Sequence, residues 1–221
     1  MADAGKAYLP AAGHDWALPL YDPLVKLLGG EATRLALIEQ AAIRPRDRVL
    51  EIGCGTGSVL VLIKRKHPDA EVVGLDPDPK ALLRAKRKAE RASVSVGLDR
   101  GFAGDMPYAD GSFDRVLSSL MFHHLDTVEK EKALREVRRV LKPGGLFHMV
   151  DFAGRDAKSR GFLVRMFHAD HRLADNDEDR VLALIGRAGF ADVRKVGEGT
   201  MFFGHMRLNY YQAAVPDAKA A

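Results

Sequence analysis

Short runs of apolar and β-branched residues, separated by turn residues, recur along this chain. Such runs are typical of buried strands. Five of them lie in the first part of the sequence, at 49–53, 72–76, 93–98, 115–120 and 146–152. Two further strands are expected near 193–198 and 202–214.

The clearest helical pattern spans 129–141, where apolar residues return at intervals of three and four. These residues are Ala133, Leu134, Val137, Val140 and Leu141. The spacing puts them on one stripe and predicts a helix with one buried face. We expect this helix to stop at Pro143-Gly144-Gly145, because proline breaks the hydrogen-bond ladder and glycine accepts the left-handed conformation that closes a helix.

Strands and helical patterns alternate over residues 46–152. This order is typical of βαβ units and predicts an α/β protein with a mainly parallel sheet and helices on both faces. Ligands of such sheets bind at the carboxyl ends of the strands. In 153–192, which is longer than a simple crossover needs, we predict two helices separated near Asp175-Asn176-Asp177, the second beginning at Glu178.

The length of 221 residues and the hydrophobic content of 47% predict one globular domain. We divide it into an N-terminal helical cap, a cofactor-binding core, a helical insertion for the substrate and C-terminal strands, at 1–44, 45–152, 153–192 and 193–214. The net charge of +4 names no partner. Lysines and arginines crowd the predicted helix at 80–91, but no aromatic residue lies among them for base stacking, so no nucleic acid is expected.

Cys54 is the single cysteine, which excludes an internal disulfide and a cluster of thiolate ligands. A reducing, cytoplasmic setting is therefore expected. No apolar run approaches the roughly 18 residues that span a bilayer, and the N-terminus lacks the pattern of a signal peptide. We expect a soluble, unprocessed protein with at most peripheral membrane contact.

The strongest motif is the strand Val49–Ile52 followed by Gly53-Cys54-Gly55-Thr56-Gly57 and a helical segment. Glycines let the backbone turn tightly and let a ligand approach the main chain. A dinucleotide fingerprint would place glycine or alanine where Ser58 stands, and no Gly-Lys-Ser/Thr of a phosphate-binding loop follows. The spacing G-x-G-x-G therefore disfavours a nicotinamide dinucleotide and a nucleoside triphosphate.

Two carboxylates follow the next strands. Asp76 ends the second strand, 19 residues after Gly57, where a carboxylate can accept both hydroxyls of a ribose. Asp105 follows the third strand and can accept a hydrogen bond from an exocyclic amine. Together they favour an adenosine-type ligand.

The segments EIGCGTG, GLDPDP, AGDMPYADGSFDRV, SSLMFHHL and VLKPGGLFHMVD, within about 45–152, resemble the successive motifs of class I S-adenosylmethionine-dependent methyltransferases. More narrowly they resemble the family with the ubiquinone and menaquinone methyltransferases. The resemblance implies a Rossmann-like, seven-stranded sheet whose last strand is antiparallel. It also implies transfer of a methyl group from S-adenosyl-L-methionine to a small or amphipathic acceptor, leaving S-adenosyl-L-homocysteine; N, O and C acceptors stay open.

The resemblance further implies roles for residues of this chain. Glu51, Gly53, Gly55 and Gly57 would surround the methionine part, with Cys54 packed beneath the ligand and without a catalytic role. The ribose would lie at Asp76 and Pro77, the adenine at Gly104, Asp105 and Met106, and the sulfonium near Ser118, Ser119 and Leu120, under Tyr21 as a closing residue.

His123 and His124 follow the fourth strand, where an active site would open, and an imidazole suits proton transfer. The alternative, which we favour, is a loop that only shapes the pocket. A polar face for the substrate is expected from Arg165, His168, His171, Arg172 and His205. A metal on these histidines is disfavoured because no carboxylate or cysteine joins them. A quinone or lipid acceptor would instead use apolar segments such as 16–28 and 162–167.

Three hypotheses therefore stand. The leading one is the methyltransferase, as a monomer or homodimer. The second is a nucleotide-dependent oxidoreductase, and the third is a non-catalytic module that binds S-adenosylmethionine.

Overall fold

The computed structural model describes residues 29–154 and 177–217, which form seven strands and five helices. The strands are β1 (Arg48–Ile52), β2 (Glu71–Asp76), β3 (Gly97–Arg100), β4 (Phe113–Ser119), β5 (Leu141–Phe152), β6 (Ala191–Met201) and β7 (Met206–Ala214). The helices are α1 (Glu31–Gln40), α2 (Ser58–Lys66), α3 (Pro79–Arg91), α4 (Thr127–Val140) and α5 (Glu178–Arg187).

The seven strands form one sheet in the order β3-β2-β1-β4-β5-β7-β6. Strands β1 to β5 pair in parallel, and β7 is antiparallel to both of its neighbours, β5 and β6. The predicted α/β class, the mainly parallel sheet and the antiparallel last strand are confirmed. The strand order reverses between β1 and β4, so the carboxyl ends of these two strands flank the crevice in which such sheets bind ligands.

Alternate residues of the central strands enter two separate cores. Leu50 and Val116 pack on one face, with Leu134, Val137 and Ile185 from α4 and α5. Their neighbours Val49 and Leu117 pack on the other face, with Leu37 and Leu60 from α1 and α2. Because strand side chains alternate in direction, strands that are apolar throughout need helices on both faces, as predicted.

Helix α4 begins at a capping box in which the Asp126 side chain accepts from Glu129 N and the Glu129 side chain accepts from Asp126 N. The helix ends at Val140, and the prediction that Pro143-Gly144-Gly145 stops it was wrong. Leu141 is already extended and pairs with Phe113 of β4, so sheet pairing ends the helix. The Pro-Gly-Gly segment lies inside β5, where the pairing register shifts and Gly144 has φ +72°.

Several element boundaries differ from the prediction. Strand β3 is Gly97–Arg100 rather than 93–98, because the chain leaves α3 through a turn with Ser93 at φ +54°. Residues 202–205 form the turn of the β6–β7 hairpin rather than the start of a strand. Helix α5 begins at Glu178 as predicted, with the Asp177 side chain accepting from Asp179 N. The other helix predicted in 153–192 falls largely outside the described residues.

None of the helices in the two described ranges has both the length and the apolar character needed to cross a bilayer.

His148 lies at the centre of β5, opposite Leu117 and Gln212, and is fully buried. Neither ring nitrogen has a hydrogen-bond partner within the described residues. Burial, with Arg115 and Arg194 nearby, lowers the pKa of His148 to about 4. The ring is therefore neutral in the folded protein at physiological pH.

A pH-dependent loss of stability follows, since the ordinary histidine pKa near 6.5 holds in the unfolded chain. As pH falls from about 6.5 toward 4, the histidine becomes protonated in the unfolded chain but stays neutral in the folded protein. The free energy of unfolding therefore drops by up to about 1.4 kcal/mol per pH unit. Urea denaturation at about pH 7 and pH 5 should show a smaller drop for His148→Leu. His67→Leu, at a partly exposed turn, is the control; equal drops in wild type and His148→Leu would contradict the buried neutral ring.

Candidate functional site

The loop between β1 and α2 passes over the carboxyl edge of the sheet with three glycines in the left-handed region. Gly53 has φ +64°, and a Cβ there would lie 2.2 Å from Cγ of Met121, in the loop after β4. Gly55 has φ +51° and nothing within 4 Å of the place of a Cβ. Gly53 thus allows the Met121 side chain to lie against the loop, while Gly55 leaves the main chain accessible.

Asp76, the last residue of β2, holds this loop. Its Oδ2 accepts from Gly55 N at 2.8 Å, and its Oδ1 accepts from Asp78 N at 2.9 Å. Burial raises the pKa of Asp76, although these two backbone donors oppose the shift. Each carboxylate oxygen keeps a second acceptor position, so the side chain can still receive two hydroxyl groups.

Glu51 of β1 is a buried carboxylate on the face of α1 and α2. Its Oε2 has no hydrogen-bond partner within residues 29–154 and 177–217. Burial raises the pKa of Glu51 well above its usual range; Arg34 opposes this, Asp76 adds to it and Lys88 opposes it. A buried polar atom without a partner is costly, which marks Oε2 as a position for a donor from a ligand.

Ser118 is a second such position, on β4 beside Ile52 of β1. It is fully buried, and its Oγ has no partner in the described part of the chain. Ser119 and Leu120 follow it and are half-buried. Leu120 adopts φ +54° and donates from its N to Val150 O at 2.9 Å, which turns the chain across the end of β5.

Cys54 lies between two of the loop glycines and is 6% exposed. Burial, together with Glu51 and Asp76, raises the pKa of its thiol well above the ordinary value. A Cβ on Gly74 of β2 would lie 2.7 Å from its Sγ, so the sulfur fills the space over that glycine. The side chain is a packing residue, since a nucleophilic cysteine needs a lowered pKa and access.

The loop after β3 runs beside the end of β2, since Gly101 N donates to Asp76 O at 3.3 Å. Met106 is buried in the core below it, and its N donates to Glu136 Oε2 of α4 at 2.8 Å. Asp105 is exposed, and Gly104 and Pro77 are half-buried. The structure therefore brings the three residues predicted for the adenine to the same edge as Asp76.

His123 and His124 lie in a short 3-10 turn, Phe122–His124, after β4. His123 Nδ1 is 2.7 Å from Oδ1 of Asp151, near the end of β5. Burial opposes the charge of Asp151, but His123 and the backbone donors hold the pKa of this carboxyl below its usual range. Sequence reasoning missed Asp151; the available signal was an acidic residue in the buried strand of the last motif.

The residues predicted for the substrate and for closure over the donor fall mostly in the segments 1–28 and 155–176. Tyr21, Arg165, His168, His171 and Arg172 lie outside the described residues. His205 is exposed in the β6–β7 turn. Over the described ranges, no three His, Cys, Asp or Glu side chains are grouped as metal ligands would be.

Comparison with known sequences gives two kinds of match. A family model described as a methyltransferase domain matches residues 49–145. An uncharacterized methyltransferase of Synechocystis is 39% identical over 140 residues, 62% of this chain and 63% of that protein. A demethylmenaquinone methyltransferase of Thermus thermophilus is 34% identical over 152 residues, 67% of this chain and 68% of that protein. The chain thus spans less than two thirds of the first relative and about two thirds of the second.

Among solved structures, phosphoethanolamine N-methyltransferase 2 of Haemonchus contortus in complex with S-adenosyl-L-methionine superposes with a TM-score of 0.75. The identity is 15%, and the match covers 98% of this chain and 62% of that one. At this level of sequence identity, the match shows that the two proteins share a fold.

The packing of Met121 against Gly53 can be tested with a matched pair of alanine variants. Gly53→Ala and Gly55→Ala both place a side chain at positive φ, which costs about 1–2 kcal/mol. Only Gly53→Ala also meets Met121, and overpacking adds about 1–3 kcal/mol. We expect the free energy of unfolding, measured in urea, to fall more for Gly53→Ala and Met121→Ala to reduce the difference; equal losses would contradict the contact.

Proposed function

The chain belongs to the class I S-adenosylmethionine-dependent methyltransferases, in the family with the ubiquinone and menaquinone methyltransferases, and we propose that it methylates a small hydroxylated ring of quinone type. The cofactor of this family is S-adenosyl-L-methionine. A small-molecule acceptor agrees with the Thermus relative, which is a demethylmenaquinone methyltransferase.

The observation that supports this proposal most is the unsatisfied carboxylate oxygen of Glu51 beside an open glycine loop. The ammonium group of a methionine moiety would supply the donor that Oε2 lacks and the positive charge that the buried site favours. The accessible main chain at Gly55 lets such a ligand approach closely. These residues therefore fit the methyl donor.

The remaining residues are assigned along the same edge. Asp76 would accept the two ribose hydroxyls with its remaining acceptor positions, next to Pro77. Gly104, Asp105 and Met106 would border the adenine, because their loop contacts the end of β2. Ser118, Ser119 and Leu120 would lie at the sulfur, where β4 ends.

The donor supplies a sulfonium methyl group that is already strongly electrophilic. The protein then has to align the acceptor with that methyl group and exclude water, and alignment can contribute roughly 7–11 kcal/mol to lowering a barrier. A base is required only where the acceptor atom carries a proton at working pH. For a hydroxylated ring we propose His123, with His124 beside it, as the group that removes this proton.

The finer assignments stay predictions. They are Arg165, His168, His171, Arg172 and His205 at the acceptor, Tyr21 over the donor, a cytoplasmic setting and a monomer or homodimer. The nucleotide-dependent oxidoreductase is not favoured, since the family is one of methyltransferases and Ser58 departs from the dinucleotide pattern. The non-catalytic binding module differs from the proposal only in lacking turnover.

Turnover is tested with a radiolabelled methyl donor and reduced demethylmenaquinone carrying a short side chain. We expect label in the quinone product with the wild-type protein and none without it. Donor binding without methyl transfer to this acceptor or to any compound of a cell extract would contradict the proposed enzymatic function and support the non-catalytic binding module.

Donor binding should depend on Glu51 and Asp76. Titration calorimetry with S-adenosylhomocysteine should show an affinity that decreases as pH falls, because the raised pKa of Glu51 makes protonation of the carboxylate compete with the ligand ammonium. We expect Glu51→Gln to weaken binding by about tenfold, the effect of about 1.4 kcal/mol, and to reduce the pH dependence.

Asp76→Ala should weaken the same binding more strongly, because it removes the ribose acceptor and the hydrogen bond to Gly55 together. Asp114→Asn is the control, since Asp114 pairs with Lys142 at the other end of β4. Unchanged affinity in Asp76→Ala would exclude the ribose assignment.

A further inference from the structure

We propose that Asp151 is a positioning residue that holds His123 as a base with Nδ1 protonated and Nε2 available. The inference rests on the proposed function and deepens it. A base held in this way is useful only for an acceptor that must lose a proton, such as a phenolic hydroxyl. It favours a hydroxylated ring over a neutral amine, which is nucleophilic without proton removal.

Three donors converge on the Asp151 carboxylate. Oδ1 lies 2.7 Å from His123 Nδ1 and accepts from Phe152 N at 2.7 Å, while Oδ2 accepts from His123 N at 3.1 Å. The same carboxylate thus holds the ring and the backbone of one residue. These hydrogen bonds fix both the backbone position and the side-chain rotamer of His123.

These contacts determine which nitrogen carries the proton. The pKa of Asp151 is lowered and the side chain is 1% exposed, so the group is an ionised carboxylate that can only accept. His123 Nδ1 must therefore be the donor in the 2.7 Å contact. In the neutral imidazole, Nε2 then carries the lone pair, which is the arrangement that a proton acceptor needs.

Ring packing adds to this constraint. The His123 ring lies between His124, at 4.1 Å between centroids, and Phe152, at 4.8 Å and 63°. The side chain keeps 13% of its surface exposed. Two residues earlier, Met121 lies against Gly53, which places His123 in the segment that borders the proposed donor site.

Methylation of a ring carbon releases one proton for each turnover. The acceptor hydroxyl gives its proton to His123 Nε2, and a ring carbon forms a bond to the methyl carbon as the methyl–sulfur bond breaks with its electron pair on sulfur. The methylated carbon then loses its own hydrogen as a proton to water, which restores the aromatic ring. His123 then returns its proton to the ring oxygen, which restores the hydroxyl, so each turnover releases only the proton from the ring carbon.

The tautomer is tested without substrate, by ¹⁵N-labelled histidine NMR of the full chain at a pH where the ring is neutral, with His123→Gln assigning the signal. We expect His123 as the Nδ1–H form, whereas Nε2–H predominates in free histidine. Asp151→Ala should shift His123 toward Nε2–H. A wild-type signal in the Nε2–H form overturns the proposal even if Asp151→Ala fails to fold.

Kinetics test the function of the pair, with reduced demethylmenaquinone as acceptor. Asp151→Asn and His123→Gln should each lower kcat by about 100-fold or more, the lower limit for general base catalysis, with KM changed less than about threefold. The double variant should lose little more than either single variant, because both changes remove one base. Additive losses, or a loss confined to KM, would overturn the positioning role.

Two controls separate this inference from the proposed function. Asp114→Asn should leave kcat unchanged, and Asp151→Asn should bind S-adenosylhomocysteine within about twofold of wild type. If the wild-type protein binds the donor but methylates no hydroxylated acceptor, the proposed function fails and the base has no role in it. If it methylates the quinol while Asp151→Asn keeps full kcat, the function stands and the positioning role is excluded.

Discussion

The hydrogen bond from Gly55 N to the Asp76 carboxylate joins the two parts on which the site depends. The glycine loop leaves the sheet after β1, and Asp76 ends the neighbouring strand β2. Parallel pairing of β1 with β2 brings the two together, and the carboxylate then fixes the loop without any side chain from it. A second backbone contact holds the loop on the same strand, since Cys54 N donates to Leu75 O at 3.1 Å.

The same arrangement places two carboxylates in the protein interior, where an ionised group is costly. Glu51 and Asp76 are both buried, and Asp76 adds to the rise in the pKa of Glu51. Arg34 and Lys88 offset this only in part. An unsatisfied carboxylate of this kind favours a cationic ligand at the expense of the stability of the empty protein, which accounts for the unpaired Oε2 of Glu51.

The sequence predicts the parts of this edge that depend on one segment at a time. Apolar runs indicate β1, β2 and β4, glycine spacing indicates the loop, and position after a strand indicates Asp76. The pairing of His123 with Asp151 spans 28 residues and exists because β4 and β5 are neighbours with Ser119 opposite Val150. Neither segment alone indicates the register in which β4 and β5 pair. The end of α4 at Val140 was mistaken for the same reason, since Phe113 of β4 pairs with Leu141.

Met121 and Gly53 show how the two halves of the site limit each other's variation. The methionine side chain occupies the place that a Cβ at position 53 would take, although it belongs to the segment after β4, which we assign to the acceptor side. A substitution in this segment that changes acceptor preference therefore has to keep a side chain at position 121 that packs over Gly53. Sequence changes that alter acceptor preference are easier in elements remote from the glycine loop. Packing against that loop restricts which side chains the segment after β4 can carry.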